Sequence, residues 1–453
     1  YNTNDKYYLI TNYINKGDQS DLMDKFFDIS ISLGEKEDDL TDKIIANLDS
    51  KGNCPKINDD ATVKIGAAET EKSLVCSAPD EYGKSYYFRG NVSNNYVKFA
   101  NFYWRIVRIN GDNSIRLIYD GTVAHENGES SEDRTAFKSA YNTGIFKNNT
   151  GSVSLAEIRL DNAAVGYMYG NRNKIVESNV KLYTSSLEDF PIIYIAKSYN
   201  YDIKTDLFSL VDPFSVSIEN FSSDYVGFYT FFSDSTSSSK AQLNKIVDVH
   251  ETDSGYDLDV NSFIYGSGSK EIAQENINDS TIKEALDTWY EENLQDYSEF
   301  ILDSYYCNNR TFSDSTQGYG NVITKYHYSA LDSNHTSLKC FKNDSFTVYN
   351  KVIGNGALKH PIGLLSLDEA MLAGGLLNNN SYYLYTGSNW WLMTPLDYYG
   401  LNGHIASVND LGRAYGWTTL TSEAGVKPVI NLKPGSLKRG NGTITEPYEV
   451  SNN

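Results

Sequence analysis

The sequence predicts an α+β chain, rich in antiparallel strands, with two flanking helices and a short helical region ahead of them. Three observations carry that expectation. From Cys76 onward, aromatic and β-branched residues gather in short runs such as SYYFRG, NNYVKFANFYWRIVRI and SIRLIYDG, a composition suited to a pleated, half-buried surface. The last two runs are joined by NGDN, where Asn110 and Gly111 tolerate the positive φ of a tight hairpin turn. Two later stretches open on capping-box spacing, Thr281 with Glu284 ahead of TIKEALDTWYEENL and Ser366 with Glu369 ahead of LDEAMLAGGLL. In both, the apolar positions recur at helical spacing.

Before the strands, SDLMDKFFDISISL places Leu22, Phe26, Phe27 and Ile29 on one helical face, and DDLTDKIIANL does the same with Leu40, Ile44, Ile45 and Leu48. The charge run EKEDD between them reads as a solvated turn. Around 155–170, SLAEIRLDNAAVGYMYG suggests a short helix or turn leading into a strand. Residues 171–273 read as an insert with strands of its own, FPIIYIA and DYVGFYTFF, and a small, polar loop, SDSTSSSK. SYYLYTG and the stretch 389–432 read as strands and long loops. A chain of 453 residues exceeds one ordinary core, since domains run to roughly 100–200 residues. The expected organisation is a helical region 1–53, a strand-rich first part 54–170, the insert 171–273 and a second part 274–453.

Composition narrows the function classes. A formal net charge of −20 with scattered Lys and Arg leaves no basic field to hold phosphate backbones, so nucleic acid is excluded as a partner. No run of about 18 apolar residues spans a membrane, and the start at Tyr1 reads as a mature or truncated product. The chain has 36 Tyr against 4 Met and 9 Pro, with abundant Ser, Gly and Asn. That mixture suits adaptable recognition surfaces, because Tyr gives large contact area for little lost rotamer entropy.

Four cysteines allow three connectivities. The local pairing, Cys54 with Cys76 and Cys307 with Cys340, is favoured over a zinc site because no C-x-x-C is present. It implies an oxidising, extracellular setting, with each bridge contributing on the order of 3 kcal/mol.

Motifs for chemistry are sparse. The six histidines, His125, His250, His327, His335, His360 and His404, show no metal-ligand spacing. No P-loop or dinucleotide fingerprint is present, so the expected cofactor is none. With 59 acidic residues, paired carboxylates in sequence carry no information about a glycosidase site. Calcium is the one metal kept open: NINDST offers oxygen ligands without matching an EF-hand loop, and Asn409-Asp410 is similar to the pairs with which lectins hold calcium and sugar. The N-x-Ser/Thr sequons, Asn91 and Asn220 among them, read as chance in an Asn- and Ser-rich chain.

With those residues stated, the chain resembles a family of large secreted or surface-anchored proteins of gut-dwelling Gram-positive bacteria, whose domain has no assigned activity. The resemblance rests on the run from SYYFRG to IYDGT (85–122), VGYMYG (165–170), DSTIKEALDTWYEENL (279–294), YYCNNRT (305–311), GALKHPIGLLSLDEAMLAGG (356–375), SYYLYTGSNWWLMTP (381–395) and GVKPVINL (425–432). The last block is also similar to the end of C-type-lectin-like folds, including formylglycine-generating enzymes and the variable proteins of diversity-generating retroelements. There, a strand matched here by Trp391, Met393, Thr394 and Pro395, and another matched by Gly425 to Val429, frame an exposed segment. Lys427 stands where those folds carry Arg, which removes a planar bidentate donor. Formylglycine generation uses cysteines near its site, and no cysteine follows Cys340, so that activity does not carry over. Some members of the surface family begin with a pilin-like helix, which the 1–53 region resembles.

The expected function is a non-enzymatic, surface-displayed, adhesin-like binding protein that presents 396–424. Tyr398, Tyr399, Asn402, His404, Asn409, Arg413, Tyr415 and Trp417 place aromatic and hydrogen-bonding side chains between turn-forming glycines there. The expected partner is a host or bacterial surface protein or a glycan. Two alternatives come from other classes: a pilus or fibre subunit that self-assembles through its N-terminal region, and a surface glycan or peptide hydrolase.

Overall fold

The hairpin and its neighbours come first, because they position everything else. α1 (Leu40–Ala46) turns the buried Ile44 inward, and the strands then follow in quick succession: β1 (Ser73–Asp80), β2 (Gly83–Gly90), β3 (Tyr96–Phe99), β4 (Phe102–Ile109) and β5 (Ile115–Gly121). β5 is buried along its whole length and β4 along six of its eight residues. Two-sided burial explains why their sequences read as near-continuous apolar runs rather than alternating ones.

This computed structural model describes residues 40–66, 72–137, 166–169, 175–182, 192–202, 207–217, 220–231, 237–238, 243–253, 255–265, 275–310, 335–340, 342–399, 402–414, 418–419 and 422–450. The expected helix around 22–29, the 155–165 segment, Tyr415 and Trp417 lie outside them; Tyr398, Tyr399 and Asn402 are described as strand backbone.

The β4–β5 hairpin forms as expected, but its glycine has a different task. Positive φ falls on Asn113 (+65°), not on Asn110 or Gly111. A Cβ on Gly111 would instead lie 2.5 Å from the backbone N of Gly83 and 2.7 Å from Asp80 Oδ1. Glycine is there so that two turns can touch. Asp80 ties them: its carboxylate accepts from Tyr82 N, Gly83 N and Gly111 N at 2.8, 3.0 and 3.0 Å.

Helix starts were nearly right. α2 (Thr281–Asn293) is capped one residue earlier than expected, by Ser280, whose hydroxyl accepts from Lys283 N at 3.0 Å. Ser366 does form a full capping box with Glu369, opening α3 (Leu367–Ala370). α3 then widens into a single π turn, Met371–Gly375, kinked at Gly374, φ +128°. SYYLYTG forms turns rather than a strand, because the Asn379 side chain accepts from Ser381 N and Oγ while Tyr382 and Tyr383 are buried in the core.

The remaining framework strands are β6 (Trp390–Tyr399), β7 (Asn402–Val408), β8 (Thr418–Thr419), β9 (Val429–Leu432), β10 (Leu437–Arg439) and β11 (Tyr448–Val450). The principal sheet has eight strands and runs β9-β5-β4-β3-β11-β10, with β2 also on β4 and β1 on β2. All pairings are antiparallel except β3 with β11. Strands from the two ends of the chain therefore share one sheet, and α2, α3 and β6–β7 contribute to the same large core. The fold is α+β.

The segment 175–265 makes a separate six-stranded sheet, in the order Phe214–Ser217, Ile192–Ala196, Tyr229–Phe231, Leu243–Thr252, Gly255–Tyr265, Ile175–Leu182. It has small cores of its own, one around Ile193, Ile195, Ile246 and Val260 and another around Phe208, Phe231 and Leu243. Both disulfides take the local pairing, Cys54–Cys76 and Cys307–Cys340. That chemistry fits an oxidising compartment. Among the described residues, no helix is long and apolar enough to cross a membrane.

Candidate ligand-presenting hairpin

β6 enters the core as Trp390-Trp391-Leu392-Met393 and stays buried through Leu396. It pairs with β7 from Trp390↔Val408 to Tyr399↔Asn402, and the register slips on either side of Pro395. Proline has no N–H for the ladder, so a bulge at this point is the expected solution. β8 then pairs with β7 at His404↔Thr419 and Ile405↔Thr418, backed by a 2.6 Å contact between the Ser407 and Thr418 hydroxyls.

Both ends of the segment are fastened to the frame anticipated from sequence. Trp391 N donates to Gly425 O at 2.9 Å and Gly425 N to Asn389 O at 2.8 Å. Gly425 has to be glycine, since a Cβ would sit 2.6 Å from Thr135 Cγ2. On the other side, Met393 N reaches Leu365 O at 2.7 Å and Leu367 N reaches the Thr394 hydroxyl at 3.0 Å, so the π-ended helix α3 buttresses β6.

Between β7 and Ala414 the chain makes a compact turn, 409–413. Asn409 Oδ1 accepts from Leu411 N and Arg413 N at 3.1 and 2.8 Å, and Asn409 N donates to Arg413 O at 2.9 Å. Asp410 N is held by Asn389 Oδ1 at 2.9 Å, and Leu411 O by Asn379 N at 2.9 Å. The tip is therefore preorganised while Asp410 is exposed and Leu411 is 52% exposed.

The expected binding residues divide accordingly. His404 is buried, 7% exposed, and faces Thr419 across the ladder. Asn409 spends its side-chain oxygen on the turn, and Arg413 is half-buried beside it. Tyr398, Tyr399 and Asn402 lie on the last rungs of the hairpin, opposite Gly403 and each other. Among the described residues no group of three or more His, Cys, Asp or Glu is placed to hold a metal.

Sequence reasoning missed the buried charges beneath this frame. Asp120 on β5 is 1% exposed, with Arg134, Lys427 and Arg105 around it at 2.9, 3.3 and 3.6 Å. Its burial opposes ionisation, and Arg134, Lys427 and Arg105 outweigh that and hold the carboxyl below its ordinary range. A second cluster joins Glu369 to Arg108 and Arg116, with Asp80 on the far side of Arg108 at 2.9 Å. Both were signalled in the sequence, where Arg105, Arg108, Arg116 and Asp120 interrupt otherwise apolar strands.

One cleft of about 260 Å³ opens beside the C-terminal end of α2, lined by Asn101, Phe102, Tyr297 and the carboxylates Glu291, Glu292 and Asp296. Glu291 is already engaged by Lys359 at 2.6 Å and His360 at 2.9 Å. No protein-family model, no curated protein and no solved structure matches the chain.

Proposed function

We propose that the chain is an extracellular, surface-displayed binding protein that presents 396–424 to a ligand, on a C-type-lectin-like scaffold of the surface-protein family it resembles. The observation that carries this reading is the contrast between a fixed base and an open tip. Residues 390–396 and 404–408 are buried and tied at both ends, whereas the 409–413 turn, held by its own backbone, the Asn409 side chain, Asn379 and Asn389, keeps Asp410 and Leu411 in solvent. An ordered loop bearing exposed side chains binds without a large ordering cost. The aromatic residues of the segment supply rigid contact area, and Asn and Arg supply hydrogen bonds.

The ligand in this reading is a glycan or a protein of a host or bacterial surface. Aromatic faces such as those of Tyr398 and Trp417 suit stacking on sugar rings and packing on peptide side chains alike. A broad glycan array, run with the intact chain and with Tyr398→Ala, Tyr399→Ala and Trp417→Ala, tests the proposal. Binding weakened about tenfold or more by these substitutions, with an unchanged melting temperature, supports it. Binding to a protein partner with no glycan bound removes the carbohydrate version; ligand binding that survives all three substitutions removes the assigned surface.

A further inference from the structure

The hub at Asp120 is unbalanced in charge. Its carboxylate takes Arg134 Nε on Oδ1 at 2.9 Å and Arg134 Nη2 on Oδ2 at 3.2 Å, with Lys427 Nζ at 3.3 Å from Oδ1 and Arg105 Nη1 at 3.6 Å from Oδ2. All four side chains are 0 or 1% exposed. Three cations against one carboxylate leave a formal excess of two positive charges where no water can screen them. Arginine cannot give up its proton in a protein, so Lys427 is the member that can relieve the excess. Nζ donates to Arg134 O at 2.8 Å and to Asp120 Oδ1, two acceptors that satisfy both N–H groups of a neutral NH₂; the Trp390 ring, its centroid 5.6 Å away, is the contact that favours the ammonium.

The same residues fasten two segments together. Arg134 donates to Glu129 O at 3.1 Å, to Glu126 O at 3.4 Å and to Tyr383 O at 3.0 Å, which pins the loop after β5 against the 381–387 turns. Ala136 N donates to Val426 O at 2.9 Å, next to Lys427, and Gly425 beside it holds β6. The other titratable groups here are Tyr96 and Tyr383, whose rings lie 3.8 and 5.4 Å from the Arg105 guanidinium, Tyr119 next to Asp120 on β5, and, on the 122–137 loop itself, His125, held by Glu129 at 2.8 Å and Asp133 at 2.9 Å, with the exposed Glu126 and Glu132.

We propose that this hub is a proton-operated latch: uptake of one proton by Lys427 opens the attachment of the 122–137 loop to the 425–428 segment ahead of β9, and so loosens the base of the hairpin that carries 396–424. The latch does not depend on what the hairpin binds. Burial lowers the Lys427 ammonium to about 7, with Arg134 and Arg105 acting in the same direction and Asp120 against it. In the opened segment the amine is solvated and returns to its ordinary value of about 10.4. The closed state therefore holds fewer protons between those values. Opening becomes easier as the pH falls from about 10.4 to 7, by up to about tenfold per pH unit, and is independent of pH below that.

Amide hydrogen exchange on the full chain reads this directly. After correction for the intrinsic exchange rate, amides of 134–137 and 425–427 are expected to become about fivefold better protected between pH 7 and 8, and nearly tenfold again between pH 8 and 9. Lys427→Met, which has no proton to take up, is expected to show no such change, and Lys427→Arg to exchange fast at every pH. Equal corrected protection of these amides at pH 7 and 9 in the unaltered chain, or the same pH slope in Lys427→Met, overturns the proposal. If the variants do not fold, the side-chain carbon resonances of Lys427 in the unaltered chain decide: a titration midpoint near 7 supports the latch and one above about 10 overturns it.

Discussion

Glu369 Oε1 lies 2.6 Å from Arg116 Nε across the core, while Glu369 Oε2 closes the capping box of α3 by accepting from Ser366 N at 2.9 Å. The closest N–H is not aligned as a hydrogen bond, but Arg116 Nη2 also donates to Oε2 at 3.3 Å, and Arg108 Nε to Oε1 at 3.1 Å. One carboxylate thus starts a helix and neutralises two arginines that β4 and β5 carry inward. Burial works against its ionisation; Arg116 and Arg108 overcome that and hold it below the ordinary carboxylate range.

Removing that carboxylate is expected to be severe. Glu369→Ala leaves two buried guanidinium groups with less compensation, which costs about 3–5 kcal/mol. Losing the reciprocal cap costs about 1 kcal/mol more. Glu369→Gln keeps an acceptor for Ser366 N and loses only the charge, so it should fall between. Urea unfolding midpoints for the three proteins check the order; a Glu369→Ala loss below about 1 kcal/mol would contradict it.

Its neighbour Asp368 behaves in the opposite way. Burial is the largest influence and raises its carboxyl to about 7; Glu369 acts in the same direction, and the hydrogen bond from Ser337 N, 3.2 Å, resists it. The folded-state value lies above the unfolded one, so the folded chain binds more protons in between. The stability tied to this group is complete below about pH 3.9 and is lost as the pH rises toward 7. Full loss amounts to about 4 kcal/mol at most. Asp368→Asn, which keeps the acceptor for Ser337 N, should therefore be more stable than the unaltered chain at pH 8, with a smaller difference at pH 5. Denaturant melts at the two pH values give the comparison, and an equal difference at both would exclude the raised carboxyl.

These two residues also show where sequence reading stops. Ser366 and Glu369 were legible as a capping box because both partners lie within one helical turn. So were the β4–β5 hairpin, the start of α2 to within a residue, and the local cysteine pairs. Arg116 on Glu369 was not, because 253 residues separate them. Lys427 on Asp120 spans 307 residues, and although Lys in place of Arg removes a planar bidentate donor, Nζ still reaches the carboxylate at 3.3 Å. Gly111 reads in the sequence as a residue that tolerates positive φ, whereas its constraint is contact with Gly83, which no local pattern encodes. In the hairpin, the frame was readable from its apolar ends, but the inward turn of His404 and the use of Asn409 as a turn cap follow from register and from Asn389 and Asn379.

The disulfides close loops with sequence separations of 22 and 33 residues. Constraint of the unfolded chain over loops of that size contributes about 3–4 kcal/mol each. Cys54→Ser with Cys76→Ser, and Cys307→Ser with Cys340→Ser, are each expected to lower the unfolding free energy by that amount. The second pair should be the more damaging, because Cys307 lies on a strand whose neighbour Tyr306 is fully buried and Cys340 N is held by Glu81 at 2.7 Å. Equal unfolding midpoints for oxidised and fully reduced protein would show that the bridges add nothing.

Gly412 separates the proposed binding segment from the scaffold most cleanly. Its φ of +79° is one that a side chain resists, and a Cβ there would collide with Asn379 O and come within 3.1 Å of Tyr385 Cδ2. Gly412→Ala must therefore push the 409–413 turn away from Asn379, whose amide holds Leu411 O at 2.9 Å. Gly435 makes a matched control: its φ is +72°, but a Cβ there meets nothing within 4 Å. Both substitutions carry the backbone cost of a left-handed residue, about 1–2 kcal/mol, and Gly412→Ala loses more because the turn must also move off Asn379 O. Only Gly412→Ala displaces Asp410, Leu411 and Arg413. If 396–424 is the surface that binds, affinity for the ligand found on the array drops at least about tenfold in Gly412→Ala and is unchanged in Gly435→Ala. Equal affinities in the two variants, with the turn shown to have moved by its amide chemical shifts, would place the binding surface elsewhere on the molecule.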